Sequence, residues 1–333
     1  MKKHIKIQFT DFWDDFDKTD NFITDALLKN FEIEWSEQPD FVFCSIFGNR
    51  HLRYDCVKIF FTGENLSPDF NLVDYAIGFH HIIYDDRYLR FPLYVLYQDA
   101  LDAALKKHLN TNSAYLSHQK FCNYVISNAI SDHARDQMIE VLNSYQTVDS
   151  GGRYRNNVGG PVPDKIAFEK GYQFTMCFEN TSSRGYTTEK IIEAFAGETI
   201  PIYWGNPDIA KEFNPESFVN CHDFASFEEV LNEVKRIHSN QELFLSKVKA
   251  PILLEDSIAA KYLDENYLSD FLMHICEQAP SQAIRRNTIY HGARYEKRAK
   301  FHQGLDQILY YPNRAAYFLH NRLAILKKGK TSS

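Results

Sequence analysis

Cys177-Phe-Glu-Asn-Thr-Ser-Ser-Arg-Gly-Tyr-Thr-Thr-Glu-Lys-Ile-Ile-Glu-Ala-Phe195, followed by Thr199-Ile-Pro-Ile-Tyr-Trp-Gly205, is the stretch on which the reading of this chain turns. An apolar run of strand length ends at Phe178. A polar loop with Asn180, Ser182, Arg184 and Gly185 follows. Helical spacing then begins at Thr187 or Thr188, and either hydroxyl suits a cap. The free N–H groups and the dipole at a helix opening attract phosphate. Lys190 adds a full positive charge, and Glu189 is suited to accept hydrogen bonds from ribose hydroxyls. The same residues also fit an ordinary capped helix with solvated Glu189 and Lys190. Only one glycine sits in the loop, so the pattern is weaker than a P-loop.

Working outward, strands and helices alternate in two batches. Lys3–Phe9, Phe41–Phe47, Val57–Thr62 and Asp74–Gly78 read as strands. Asp20 is placed to cap a helix over Asn21–Asn30, and Tyr94–Leu109 has helical character. After the polar connection Asn110–Ser117 the pattern restarts with a strand at Phe121–Ser127. An amphipathic helix follows at Asp132–Tyr145, then a Gly- and Asn-rich loop at Gly151–Pro161. Strands at Phe174–Phe178, Thr199–Trp204 and Phe218–His222 come next, with a helix over Thr188–Ala196. Ser226 and Glu229 form a capping box ahead of a helix ending at His238. Repetition of this kind predicts an α/β fold: two Rossmann-like domains with parallel sheets, facing across a cleft. The expected boundaries are 1–115 for the first domain, 116–284 for the second and 285–333 for a basic helical tail.

The chain has 333 residues, 44% of them hydrophobic and 24% charged, which places it among globular proteins of two-domain size. No apolar run reaches bilayer-spanning length and no charged, apolar, small-residue series opens the chain, so neither a membrane span nor a secretory signal is expected. The six cysteines are scattered without metal-clip spacing and read as buried thiols, so a reducing cytoplasmic location is expected. Arg285–Lys330 carries 11 Lys and Arg against two acids, Glu296 and Asp306, on a chain of net charge −7. A basic tail on an acidic body fits an anionic partner surface, or a solvated helix. From Pro312, the residues Ala316, Leu319, Leu323 and Leu326 share one face among basic neighbours, the pattern of a helix lying on an anionic membrane.

Phe178-Glu179-Asn180, Gly185-Tyr186, Thr188-Glu189-Lys190-Ile191-Ile192 and Ile200-Pro201-Ile202-Tyr203-Trp204-Gly205 together resemble the signature of the α-1,3/1,4-fucosyltransferases, closest to the bacterial, Helicobacter-type enzymes. The resemblance extends to Phe61-Thr-Gly-Glu-Asn-Leu-Ser-Pro-Asp-Phe-Asn71, Asp74-Tyr-Ala-Ile-Gly-Phe79 and Asp86-Arg-Tyr-Leu-Arg90. It implies a glycosyltransferase-B fold, GDP-fucose as donor and inversion at the fucose carbon. It implies that Arg135 and Lys190 hold the donor diphosphate, that Glu189 binds ribose, and that Asn180 and Tyr186 belong to the donor site. It implies Glu64 as the catalytic base and a Gal-β-1,4-GlcNAc acceptor such as N-acetyllactosamine, giving a Lewis X product. The alternatives are an α-1,4 linkage, another nucleotide-sugar donor, or a non-catalytic glycan- or nucleotide-binding protein.

Single displacement requires a base for the acceptor hydroxyl and fixed positive charge for the departing diphosphate. Glu64 stands at the carboxyl end of an apolar strand, where a side chain can face the other domain. Arg135, Lys190 and the helix opening supply positive charge, so no metal or other cofactor is expected, and no nucleic acid partner. Where Helicobacter-type enzymes carry Tyr, this chain has Phe61, which removes a hydroxyl near the base. Asp15-Phe-Asp17 reads as a solvated acidic run, and His80-His81 with Asp85-Asp86 has no metal-ligand spacing. The heptad repeats of Helicobacter-type enzymes have no counterpart here. Asn65-Leu-Ser67 and Asn180-Thr-Ser182 are formal glycosylation sequons without meaning in a cytoplasmic protein.

Overall fold

The computed structural model describes residues 2–109, 115, 120–302 and 304–305. In chain order the first batch is β1 (Lys3–Thr10), α1 (Phe22–Leu28), β2 (Phe31–Trp35), β3 (Phe41–Cys44), β4 (Val57–Phe61), β5 (Tyr75–Gly78), β6 (Tyr88–Arg90) and α2 (Gln98–Lys106). Its six strands form one sheet in the order β2-β1-β3-β4-β5-β6, and every neighbouring pair is parallel. β3 and β5 are buried along their whole length. Strands covered on both faces need continuous apolar runs, which is why Phe41-Val-Phe-Cys44 and Tyr75-Ala-Ile-Gly78 do not alternate. The sequence reading passes over β2 and β6: the first carries two glutamates in five residues, and the second is only three residues long. The cap of α1 is Asn21 rather than Asp20, its Oδ1 accepting from the N–H groups of Ile23 and Thr24.

The second batch is β7 (Lys120–Tyr124), α3 (His133–Asn143), β8 (Val148–Ser150), α4 (Lys165–Glu169), β9 (Tyr172–Phe178), α5 (Lys190–Ala196), β10 (Ile200–Trp204), β11 (Val219–Asn220), α6 (Phe227–His238) and α7 (Gln241–Lys249). Its sheet runs β11-β10-β9-β7-β8, again parallel throughout. Asp132 caps α3 through the N–H of Ala134, and Ser226 caps α6 through that of Glu229. The expected two-sheet α/β architecture is present. The two halves also share a core: Ile191, Ile192 and Phe195 of α5 join one apolar cluster with Leu101 and Ala104 of α2. Helix α5 is therefore held by the first domain.

After α7 the chain crosses back. α8 (Ala259–Tyr262), α9 (Tyr267–Glu277) and α10 (Pro280–Ala283) follow. Leu268, Leu272, Ile275 and Cys276 pack with Ile23 and Leu27 of α1 in the same cluster, and Lys3 Nζ donates to the carbonyl of Cys276 at 2.8 Å. Residues 259–283 therefore belong with the first sheet, not with the second domain to which the 116–284 boundary assigned them. The first part of the basic tail is also integral to the first domain. Asp74, fully buried, accepts from the backbone N–H groups of Arg285 and Arg286 at 2.8 and 2.9 Å and pairs with the Arg286 guanidinium. Lys58, buried within β4, meets Glu296 at 2.6 Å. Glu296 lies on α11, a helix that extends over 291–302. These two buried charges require partners, and the returning segment supplies them. The amphipathic stretch from Pro312 lies outside the described residues.

Glu296→Ala would leave Lys58, Arg286 and Lys300 facing one another without their shared carboxylate. Removing one partner of a buried pair costs about 3–5 kcal/mol. Thermal unfolding should register a loss of roughly 4–7 °C for a chain of this size, whereas Glu277→Ala, on an exposed position of α9, should leave the midpoint close to that of the parent.

Among the described residues, no helix is long and apolar enough to cross a membrane.

Candidate active site

The carboxyl end of β9 assembles most of the predicted donor residues. Arg135, in the first turn of α3, is 1% exposed, and its guanidinium spends its hydrogen bonds on oxygens at that strand end. Nη1 donates to Asn128 O at 3.1 Å, and Nη2 to Asn180 Oδ1 at 2.9 Å. It does not pair with Asp132 or Glu140. Among the described residues no carboxylate lies within ion-pair distance of Arg135, and its Nε has no protein partner. Burial pulls this guanidinium below its ordinary range, with Glu179 opposing. Arg135 is thus a buried cation without a counter-ion in contact.

Lys190 opens α5, and its side chain is 20% exposed. Its ammonium donates to Glu179 Oε2 at 3.1 Å, Thr188 Oγ1 at 2.9 Å and Glu189 Oε1 at 3.4 Å. Burial pulls the ammonium down, but Glu179 and Glu189 outweigh it, so its pKa lies above the ordinary lysine value. For Glu189, burial pushes up, while Lys190 and Lys165 pull harder and hold the carboxylate ionised. The helix starts two residues later than the sequence predicts. Glu189 takes the N-cap position without a capping bond, and Thr188 instead gives its N–H and hydroxyl to Glu179 at 2.8 and 2.7 Å.

Glu179 is the residue that sequence reasoning leaves without a role. It is fully buried and ties the strand end, Thr188 and Lys190 together. Its position directly after an apolar strand, inside the quoted string, is the signal that could have singled it out.

Tyr186 lies between the domains. It is 1% exposed, and its ring meets Phe79 of the first domain edge-on at 5.2 Å. Glu64 stands opposite, just past β4. Its loop touches the donor loop directly, Asn65 Nδ2 donating to Thr181 Oγ1 at 2.6 Å. The two discounted sequons are therefore in contact across the cleft. Glu64 is solvent-exposed on one side, yet partial desolvation pushes its carboxyl up. Lys190 pulls it down, and Glu189 and Glu179 push it up further. The carboxylate of one domain thus lies within the electrostatic field of Lys190, Glu189 and Glu179 of the other.

Beside Glu64 is a cavity of about 400 Å³, lined by Trp13, Phe22, Phe47, Phe61, Leu93 and Tyr97 among others. Trp13 and Phe47 expose 39% and 58% of their surface, enough to offer a ring face to a sugar. Phe61 itself is 3% exposed and packs on Phe22 at 4.9 Å, so it acts as wall and core together. A larger groove, about 870 Å³, runs between α3 and α6 past Trp204 and His222. Neither Glu64 nor Lys190 lines it, whereas Glu64 lines the smaller cavity. Asp17 accepts from the N–H and hydroxyl of Thr19 in an exposed turn, as a surface acid does.

Residues 7–97 match the α-(1,3)-fucosyltransferase FucT N-terminal domain, and residues 115–250 match the glycosyltransferase family 10 (fucosyltransferase) C-terminal domain. Over 281 residues the chain is 37% identical to α-(1,3)-fucosyltransferase FucT of Helicobacter pylori, covering 72% of this chain and 59% of that protein. It therefore spans about three fifths of the length of that relative. A crystal structure of an α1,3-fucosyltransferase superposes with a TM-score of 0.76 at 31% identity, covering 87% of this chain and 93% of the other. A structure of an α1,3-fucosyltransferase with GDP-fucose gives a TM-score of 0.70 at 32% identity, covering 87% and 93%. With both halves matched and the two-sheet fold reproduced, the chain belongs to the family 10 fucosyltransferases.

Proposed function

We propose that this protein transfers fucose from GDP-fucose to the 3-hydroxyl of GlcNAc in a Gal-β-1,4-GlcNAc acceptor, inverting the fucose carbon and forming a Lewis X unit. The observation that carries the reading is the meeting of the Glu64 loop with the Arg135–Asn180–Glu189–Lys190 cluster across the cleft. In this reading the acceptor ring stacks in the aromatic cavity, and Glu64 takes its hydroxyl proton. The acceptor oxygen bonds to the fucose carbon as the bond to the β-phosphate oxygen breaks. The electron pair leaves with GDP, and Arg135 and Lys190 meet its charge in a water-poor setting. Tyr186 closes the floor between the domains, and Glu189 receives the ribose.

The direct assay is incubation with GDP-fucose and N-acetyllactosamine, with the product linkage read by NMR. Absence of both product and acceptor-dependent GDP release across a panel of acceptors would defeat the proposal. GDP and GDP-fucose at about 100 times their Kd should add roughly 2.7 kcal/mol to stability, and UDP-sugars should add nothing. A reversed order in that thermal panel would mean another donor.

Peripheral contact with an anionic membrane through the basic segment from Pro312 is part of the same proposal. Deletion of 312–333 should abolish pelleting with vesicles containing phosphatidylglycerol and leave transfer to a soluble acceptor intact. Unchanged pelleting would overturn this contact.

A further inference from the structure

Arg90, the last residue of the Asp86–Arg90 string, ties the two domains together through its guanidinium. It ends β6 at the edge of the first sheet and is 6% exposed. Its Nε donates to Phe79 O at 2.6 Å within its own domain. Its Nη2 donates across the domain boundary to Gly185 O at 2.9 Å and to Glu212 Oε1 at 2.8 Å. Glu212, just beyond β10, is fully buried. Its second oxygen accepts from Tyr94 OH of the first domain at 3.0 Å, and Oε1 also accepts from Asn206 Nδ2 at 2.9 Å. Asn206 Oδ1 in turn accepts from the Gly185 N–H at 2.8 Å.

Both polar groups of the Gly185 backbone are therefore held by a network that converges on Glu212. Gly185 has φ +87°, and a Cβ there would stand 2.4 Å from Phe79 O. The two backbones approach too closely for any other residue. Tyr186 follows directly, and the same loop carries Asn180. An exposed ion pair between domains would be weak and easily exchanged for water. This one is buried, and a guanidinium fork fixes direction as well as distance.

We propose that Arg90 and Glu212 form a fixed pivot that positions the Glu64 side of the cleft over the donor loop. They are positioning residues, since neither lines the aromatic cavity and neither is in the donor cluster. The role rests on the fucosyl-transfer reading for its kinetic consequence, and on the network alone for its structural one. A misplacement of about 1 Å between reacting groups is enough to lower a rate 10²-fold.

The test uses Glu212→Gln, which keeps the shape and removes the charge, and Arg90→Lys, which keeps the charge and removes the fork. Per folded molecule, kcat should fall about 10–10²-fold, while GDP affinity by calorimetry stays at the parent value because GDP is assigned to the second domain. Spin labels at Gln38→Cys and Gln241→Cys, in a Cys56→Ser background, should report a shifted or broader interdomain distance in both variants. If Glu212→Gln fails to fold, Tyr94→Phe removes one hydroxyl of the network and should shift the same distance by less. Unchanged distances together with unchanged kcat per folded molecule would overturn the pivot. Loss of GDP affinity in step with kcat would overturn it too, by making the pair part of the donor site. A parent protein that transfers no fucose defeats the functional reading, and the label distances then still decide on the pivot.

Discussion

Glu64→Gln is expected to lower fucosyl transfer by about 10²–10⁴-fold, the usual worth of a general base, while GDP binding by calorimetry stays near the parent value. Glu64 sits on the first domain, where it lines the aromatic cavity and stands next to Asn65, which contacts Thr181 of the second domain. The groups able to hold a diphosphate, Arg135 and Lys190, sit on the second. Loss of the carboxylate removes the proton acceptor and leaves the nucleotide's own partners untouched. A variant that retains more than about a tenth of the parent kcat would place the base elsewhere.

The same residue sets the expected pH response. Desolvation, with Glu189 and Glu179 facing it, raises the Glu64 pKa against the pull of Lys190. Only the ionised form can accept a proton, so activity should fall as pH drops through that raised pKa. The acid limb should therefore lie above the ordinary glutamate range, and the residual activity of Glu64→Gln should lack it. An acid limb that persists unchanged in the variant would belong to another group.

How much of this was legible in the sequence depends on how far apart the cooperating residues lie. Asn180, Tyr186, Glu189 and Lys190 fall within one strand–loop–helix joint, and such a joint builds an anion site from consecutive residues. A single string therefore carries most of the donor side. Arg135 needed the resemblance, since in isolation an arginine on an amphipathic helix reads as a solvated charge. The cavity wall was not legible, because Trp13, Phe47 and Tyr97 come from separate segments and each alone is an ordinary exposed aromatic. The return of residues 259–302 was hidden for a similar reason. Its determinants are Asp74 and Lys58, single charges inside apolar runs, and their partners lie more than 200 residues away. A charge inside an apolar run signals that a partner must exist, and says nothing of where it comes from.

Lys190→Ala is expected to have the second large effect, and a paired variant tells why. The three donors of the ammonium are directed at Glu179, Thr188 and Glu189. Glu179 is fully buried and also holds Thr188, so it acts as a fixed anchor. The Glu189 contact, at 3.4 Å, is the longest of the three. An incoming diphosphate would displace Glu189 and free it for the ribose, while Glu179 keeps the lysine aimed. Removing the ammonium therefore does more than delete one phosphate contact. It leaves two carboxylates beside the diphosphate and strips the buried Glu179 of its counter-ion, an arrangement that opposes anion binding. Donor turnover should fall on the order of 10²–10³-fold, with GDP affinity falling alongside it, in contrast to Glu64→Gln. Adding Glu179→Gln to Lys190→Ala removes one of the two stranded charges while keeping the hydrogen bonds to Thr188 within reach. The double variant should therefore bind GDP more tightly than Lys190→Ala alone, although Glu179→Gln by itself, which loosens the lysine, should bind it less tightly than the parent. Additive losses in the pair would show that Lys190 acts as a lone phosphate contact and that Glu179 does not aim it.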